Sequence, residues 1–166
     1  MLIRPETAAD HEAIRDILIA AFADHPFSHQ TEHLIVEGLR AAGALTLGLV
    51  AERDGEVVGH VAFSPIKIGG KDCKWLALGP VAVTPPLQKR GIGKALISES
   101  LQIIREMGAE GCVLVGDPAY YRRFGFQQCS GLTMKGVPAE VLQYLPLSNH
   151  IPQGEISHHP AFHIGL

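Results

Sequence analysis

One continuous stretch, residues 75–116, constrains the fold more than any other part of the sequence. It opens with an almost wholly apolar run, 75–83, and closes with a second apolar run, 112–116. Between them lie the glycine-containing segment QKRGIGK (88–94) and apolar residues at helical spacing over 92–107. A buried strand, a helix and a second buried strand in this order predict a right-handed crossover joining two parallel strands.

The N-terminal half predicts antiparallel pairing. Two strand-like runs, 47–52 and 57–63, flank Asp54-Gly55, which is a strong hairpin signal. Antiparallel hairpins followed by a parallel crossover indicate a mixed α/β (α+β) fold built on one mixed sheet. With no repeat and no linker in the sequence, we expect residues 1–166 to form a single domain.

Capping signals and the spacing of apolar residues predict the helices and the elements of the C-terminal part. A first helix follows Asp10 and a second covers about 31–42, while Asp117 is placed to cap a short helix. After a late strand that begins at Phe126, we expect a further helix over 138–145. The Gly79-Pro80 pair inside the first apolar run predicts a bulge or splay in the central strand, because proline cannot donate a ladder hydrogen bond.

Composition excludes several function classes. The net charge of −3 gives no electrostatic footprint for a nucleic-acid partner. No apolar run reaches about 18 residues and no signal peptide is evident, so neither a membrane span nor export is expected. The three cysteines are widely spaced, which favours a reducing, cytoplasmic setting with all three buried as small apolar side chains.

The segment 88–94 has the chemistry of an anion cradle. Gly91 and Gly93 allow close backbone approach at a helix N-terminus, where unpaired N–H groups and the helix dipole favour a phosphate. Lys89, Arg90 and Lys94 add positive charge. The alternative is that the glycines only permit a tight turn from strand to helix. The full P-loop pattern is absent and the dinucleotide fingerprint is incomplete, so both nucleotide interpretations are weak.

Two motifs in the right order resemble one known family. The residues 88–93 resemble the Q/R-x-x-G-x-G/A motif of the GNAT superfamily of N-acetyltransferases, and the strand containing Gly79-Pro80 is similar to its splayed central strand. The segment 116–126, in which Tyr121 lies four residues before a Gly-Phe pair, resembles its second motif. The resemblance covers roughly residues 2–128, and the tail is similar to that of the YhbS-like branch. It implies a twisted sheet with helices on both faces.

The resemblance also implies the ligand, acetyl-CoA, and its contacts. The backbone amides of seven consecutive residues would bind the pyrophosphate: Gln88, Lys89, Arg90, Gly91, Ile92, Gly93 and Lys94. Three residues of the central strand would pair with the pantetheine arm as if it were another strand: Val81, Ala82 and Val83. Tyr121 is implied as the general acid that protonates the departing thiolate, with Tyr120 as the alternative. The amide of Val81 is a candidate oxyanion donor.

The general base and the acceptor stay open. The residues 74–83 contain no carboxylate, so Glu32, His29, His60, His158 or a water relay are equal candidates. His25, His29 and His33 recur every four residues, but a proline inside this segment argues against one helical face, and we expect no metal.

The acceptor is an amine of a small molecule, a peptide or a protein, and a homodimer is an open option. The competing functions are a catalytically weak acyl-CoA-binding regulatory module and a protein-binding domain without cofactor.

Overall fold

The computed structural model describes residues 1–163, so residues 164–166, which the single-domain prediction includes, lie outside the described residues. The strands are β1 (Leu2–Pro5), β2 (Leu47–Arg53), β3 (Glu56–Ile68), β4 (Lys71–Val83), β5 (Gly111–Val115), β6 (Leu132–Met134), β7 (Leu142–Pro146) and β8 (Gly154–His158). The α-helices are α1 (His11–Phe22), α2 (Glu32–Ala41), α3 (Ile92–Glu106) and the single turn α4 (Pro118–Tyr121).

The strands form one mixed sheet in the order β1-β2-β3-β4-β5-β7, with β8 beside the far end of β3 and β6 beside β8. Strands β1 to β4 pair antiparallel, with the β2–β3 hairpin turning at Asp54-Gly55 as predicted. Strands β4 and β5 are parallel and α3 connects them, which confirms the predicted crossover. The mixed α/β fold is therefore the one that the sequence predicts.

Helices cover both faces of the sheet. On one face, α3 packs its apolar side on Val61 and Phe63 of β3 through a cluster that includes Leu96 and Ile97. On the other face, Ala62 of β3 packs under α1 and α2, whose buried residues are Ile14, Ile17, Leu18, Val36 and Leu39. The alternation of neighbouring β3 side chains between two cores follows from the two-residue period of a strand.

The central strand separates from its parallel neighbour where the sequence predicted a splay. Strand β4 pairs with β5 only through Trp75, Leu76 and Ala77, although β3 accompanies β4 as far as Val83. The pairing with β3 shifts register around Gly79-Pro80. One edge of β4 is therefore left open toward β5 from Leu78 onward.

Three predictions about the rest of the chain need correction. The segment 138–145 is not a helix: Leu142–Pro146 is strand β7, which pairs along the whole of β5. The late strand at Phe126 reduces to one isolated bridge, Gln127 to Tyr144. Only Cys112 is buried, whereas Cys73 and Cys129 are partly exposed, although all three are free thiols. Along residues 1–163, no helix has the length and apolarity needed to cross a membrane.

Candidate active site

A cavity of about 340 Å³ opens where β4 and β5 diverge. Eight of the ten residues predicted to bind the cofactor line it: Val81, Ala82, Val83, Gln88, Lys89, Gly91, Gly93 and Lys94. The remaining lining residues are Ile97 on α3 and Tyr120, Tyr121 and Arg123 on the opposite wall. Three lining side chains are cationic, and none of the described lining residues is acidic. The cavity therefore suits an anionic ligand.

The glycine segment forms one end of this cavity as a helix N-terminus. Gly91 is the N-cap of α3 and has a left-handed backbone (φ 86°), and Lys89 also has a positive φ of 64°. The first bond of the helix runs from the N–H of Ala95 to the carbonyl of Gly91. The N–H groups of Ile92, Gly93 and Lys94 therefore have no intrahelical acceptor, which is the arrangement that binds phosphates.

Not all of the predicted pyrophosphate amides are free. The N–H of Gln88 donates to the carbonyl of Pro85 at 3.3 Å, and its side-chain amide donates to the carbonyl of Val83 at 3.0 Å. Arg90 is exposed and lies outside the cavity lining, while the Ile92 side chain is buried in the core under α3. Within the predicted segment, the structure therefore brings Gln88, Lys89, both glycines and Lys94 to the cavity, but neither Arg90 nor the Ile92 side chain.

The open edge of β4 forms the cavity wall. The N–H of Thr84 donates to the carbonyl of Val58, which makes Ala82 and His60 the next hydrogen-bonded pair of the antiparallel ladder. Ala82 therefore directs its backbone groups to β3, while Val81 and Val83 direct theirs to the open side. The carbonyl of Val83 already accepts from the Gln88 side chain. An extended ligand with amide groups could therefore pair with Val81 and with the N–H of Val83, but not with Ala82.

The adjacent tyrosines of α4 occupy different places. The Tyr120 hydroxyl is 3.6 Å from the position that a Cβ atom would take on Gly93, so this hydroxyl lies at the glycine end of the cavity. The Tyr121 ring instead lies against Gly116 at the end of β5. Asp117 caps α4 as predicted, accepting from the N–H of Ala119 at 2.9 Å. The two rings meet edge to face, with centroids 5.0 Å apart.

Burial makes the Tyr121 phenol a weaker acid than a tyrosine in water. It raises the pKa of Tyr121 to about 12, and the nearby Tyr120 and Asp117 add to this shift. At neutral pH this side chain is therefore protonated, in a largely dehydrated place. Its ring also contacts Phe126, with centroids 6.1 Å apart, which restricts its orientation.

The candidate bases lie outside the cavity lining. His60 is fully buried, and its Nε2 is 2.8 Å from Oε1 of Glu6, which also pairs with Arg40 at 2.9 Å. Burial alone would raise the pKa of Glu6, but His60 and Arg40 outweigh it and the pKa is lowered. His158 stacks on Phe162 with centroids 4.0 Å apart, and burial lowers its pKa to about 4.

The remaining candidates belong to the segment between α1 and α2. Glu32 accepts from the hydroxyl of Ser28 at 2.7 Å. His25 and His29 lie in the loop and only His33 is helical, so the three histidines do not share a helix face. Over residues 1–163, no group of three or more His, Cys, Asp or Glu side chains is placed to hold a metal ion.

Sequence reasoning missed Ile97 as part of the cavity wall and named Tyr120 only as the alternative proton donor, while the structure adds Arg123 to the lining. Ile97 follows Gly93 by four residues on α3, so helical spacing could have placed it on the same face. Arg123 follows Tyr120 by three residues, a spacing that brings side chains together across one helical turn. Which face of that turn meets the cavity depends on how α4 packs, which local spacing does not reveal.

Comparisons with known proteins show the family to which this chain belongs. Residues 2–129 match the family model described as "Acetyltransferase (GNAT) domain". Over 128 residues the chain is 41% identical to the uncharacterized N-acetyltransferase YhbS of Escherichia coli strain K12, an alignment that covers 76% of this chain and 74% of that protein.

Two solved structures resemble the whole chain. A GNAT family acetyltransferase from Brucella melitensis in complex with acetyl-CoA matches with a TM-score of 0.88 and 48% identity, covering 97% of both chains. YhbS from Escherichia coli in complex with CoA also matches with a TM-score of 0.88, at 35% identity, covering 99% of this chain and 93% of that one. The fold, the two motifs and these matches lead to one conclusion: this chain belongs to the GNAT family of acetyltransferases.

Proposed function

We propose that the protein transfers the acetyl group of acetyl-CoA to a primary amine by direct attack within a ternary complex. The observation that carries this proposal is the cavity between β4 and β5, where free backbone groups, a helix N-terminus and a buried phenol meet. The N–H groups at the start of α3, with Lys89 and Lys94, would hold the pyrophosphate. Val81 and Val83 would pair with the pantetheine arm. Relatives that bind acetyl-CoA and CoA support this choice of ligand.

The residues of the chain would divide the chemistry as follows. When bound, acetyl-CoA supplies an activated thioester. The N–H of Val81 would donate to the carbonyl oxygen as it gains negative charge during attack by the neutral amine. Tyr121 would give its proton to the sulfur as the carbon–sulfur bond breaks, and the new carbon–nitrogen bond leaves a proton that a water molecule removes from the amide nitrogen. None of the described lining residues is acidic, which favours water over a carboxylate for this last step.

The setting and the partners are part of the same proposal. We place the protein in the cytoplasm, in keeping with its three free thiols. We treat residues 1–166 as one catalytic domain, alone or as a homodimer. The acceptor is a small-molecule amine or an amine of a peptide or protein.

Thermal shift and thiol release test this proposal in sequence. Acetyl-CoA at millimolar concentration should raise the melting temperature, because a ligand that binds only the folded state stabilises it. A panel of amines should then include one that causes release of free CoA thiol, with the acetylated amine detected by mass spectrometry. Binding without turnover for any amine would instead favour a catalytically weak acyl-CoA-binding module, and no binding would exclude both functions.

Substitution of the two tyrosines tests the proton donor. Tyr121→Phe should lower kcat by about 100-fold to 10,000-fold, the usual contribution of a general acid. Tyr120→Phe is the matched control, since it removes the same hydroxyl from the neighbouring ring and should leave the proton transfer intact. If Tyr120→Phe loses the turnover and Tyr121→Phe keeps it, the assignment is reversed.

A further inference from the structure

Gln143 is a buried polar residue that the proposed reaction does not use. It lies on β7 opposite Leu114 of β5, and only 1% of it is exposed. Its Nε2 donates to the main-chain carbonyl of Gly116 at 3.1 Å, and its Oε1 has no hydrogen-bond partner within residues 1–163. An unpaired buried acceptor costs stability, so an apolar side chain of the same size would serve the packing at least as well. The reason for the amide is therefore to be found at the carbonyl that it binds.

Gly116 is tied to β7 by both of its main-chain polar groups. Its N–H donates to the carbonyl of Val141 at 3.0 Å, and its carbonyl accepts from the Gln143 side chain. Gly116 is half-exposed, so without Gln143 this carbonyl could turn toward water. A glycine has no Cβ atom to restrict its backbone, so sterics alone do not fix the peptide between Gly116 and Asp117. The Gln143 side chain therefore orients this peptide.

The peptide after Gly116 leads directly into the turn that carries Tyr121. The carbonyl of Asp117 accepts from the N–H of Tyr121 at 3.1 Å, so the position of Asp117 sets where the tyrosine begins. The Tyr121 ring lies back against Gly116, where an added Cβ would be 2.6 Å from Cε2 of the ring. The main chain and the ring of Tyr121 therefore both depend on how Gly116 is held.

Gln143 lies on the same face of the sheet as the Tyr121 ring. Leu114, which is opposite Gln143, belongs to the apolar cluster against which Tyr121 packs. Tyr144, the next residue of β7, packs in the cluster on the other face. Gln143 is not among the residues that line the cavity. Any effect of this side chain on the reaction therefore passes through Gly116.

We propose that Gln143 is a positioning residue, which places the Tyr121 phenol by holding the carbonyl of Gly116. The glycine makes room for the tyrosine ring, and the buried amide supplies the restraint that a glycine lacks. This inference rests on the proposed function in that Tyr121 is its proton donor. The placement of the ring itself is measurable without turnover.

Gln143→Met tests this role, because methionine keeps an unbranched side chain and removes both the donor and the unpaired acceptor. We expect kcat for thiol release to fall by about tenfold to 100-fold, the cost of a displacement of about 1 Å. The KM for acetyl-CoA should change by less than about twofold, since no cavity contact is lost. The melting temperature should stay the same or rise, because the unpaired acceptor is gone. A lower melting temperature with an unchanged kcat would show a purely structural role and overturn the inference.

Ser100→Ala is the matched control for the loss of a buried hydrogen bond. Ser100 is also fully buried, and its hydroxyl donates to the main-chain carbonyl of Ile97 at 2.9 Å. This substitution leaves Gly116 untouched, so kcat should not change. An equal loss of kcat in Ser100→Ala and Gln143→Met would overturn the inference, since a general loosening of the core would then explain both.

A second measurement follows the phenol itself and needs no acceptor amine. The chain has three tyrosines, so the ring signals of protein labelled with ¹³C-tyrosine are few, and the signal lost in Tyr121→Phe is that of Tyr121. At about pH 11 the wild-type phenol should be largely neutral, because burial raises its pKa to about 12. In Gln143→Met a larger share should be ionised, since a displaced ring is less buried and the pKa of an exposed tyrosine is about 10. A Tyr121 signal that titrates as in the wild type would overturn the inference.

The two measurements separate this inference from the proposed function. If the wild type releases no thiol with any amine, the transfer reaction is refuted, and the NMR titration alone decides whether Gln143 places Tyr121. If Gln143→Met keeps full kcat and the wild-type titration, the inference is refuted and the transfer reaction stands.

Discussion

A methyl group added at Gly116 should disturb the proposed proton donor. On Gly116→Ala the new Cβ would lie 2.6 Å from Cε2 of Tyr121, whereas ordinary contact begins at 3.4 Å. The ring or the strand must therefore move by roughly 0.8 Å, and a displacement of about 1 Å in an active site can cost about 100-fold in rate. We predict that kcat falls by about tenfold to 100-fold while the KM for acetyl-CoA changes little.

The matched control is Gly111→Ala at the other end of the same strand. There the new methyl group would overlap the ring of Trp75, which is buried and stacked on Tyr144, away from the cavity. Both substitutions overpack the fold and should lower the free energy of unfolding by about 1–3 kcal/mol. Only Gly116→Ala should lower kcat, because only its methyl group meets Tyr121.

The assay is thiol release at saturating acetyl-CoA and amine, with urea unfolding for stability. A double-mutant cycle with Tyr121→Phe makes the test strict: once the hydroxyl is gone, Gly116→Ala should cost little further activity. If Gly116→Ala keeps full kcat, or if its effect persists undiminished in the Tyr121→Phe background, the placement of Tyr121 as proton donor is refuted.

Two other predictions concern stability and pH. Asp10→Asn should lower the free energy of unfolding at pH 7 by about 2 kcal/mol, since Asp10 accepts from Arg4 at 2.8 Å and from the N–H of Thr7. The hydrogen bond from Arg4 lowers the pKa of Asp10. In urea unfolding, the difference in free energy of unfolding between the wild type and Asp10→Asn should therefore be complete above about pH 4 and should disappear as the pH falls further. A difference that stays constant with pH would contradict this prediction. Burial raises the pKa of Tyr121 to about 12, so its contribution to stability is complete below about pH 10 and is lost as the pH rises toward 12. The free energy of unfolding of Tyr121→Phe, measured between pH 9 and 12, should lack this alkaline loss. A pH dependence equal to that of the wild type would argue against a buried phenol.

The crossover between β4 and β5 was predictable because its signals are local. The apolar runs, the glycines before the helix and the helical spacing after them all lie within about forty residues. The splay was predictable for a related reason, because the Gly79-Pro80 pair interrupts the ladder wherever the strand is placed.

The errors arise where distant partners decide the structure. The segment 138–145 has helix-compatible spacing, but the edge of β5 is free to pair, and β7 takes that place. The buried Gln143 illustrates this: its side-chain amide donates to the carbonyl of Gly116, a contact that no local pattern announces. Tertiary pairing therefore overrides local preference here.

The division between the two tyrosines also depends on tertiary packing. Spacing to the Gly-Phe pair favours Tyr121, but it does not say that Tyr120 lies beside Gly93 and holds Arg123. Both facts follow from how the single turn α4 sits between β5 and α3. A four-residue helix has too short a pattern to reveal which of its faces is buried.

A crystal structure of the protein with acetyl-CoA tests the central claim most directly. We predict the pyrophosphate on the N–H groups at the start of α3, the pantetheine arm along Val81 and Val83, and the sulfur in contact with the Tyr121 hydroxyl. A ligand bound outside the gap between β4 and β5, or a sulfur in contact with Tyr120 and remote from Tyr121, would contradict it.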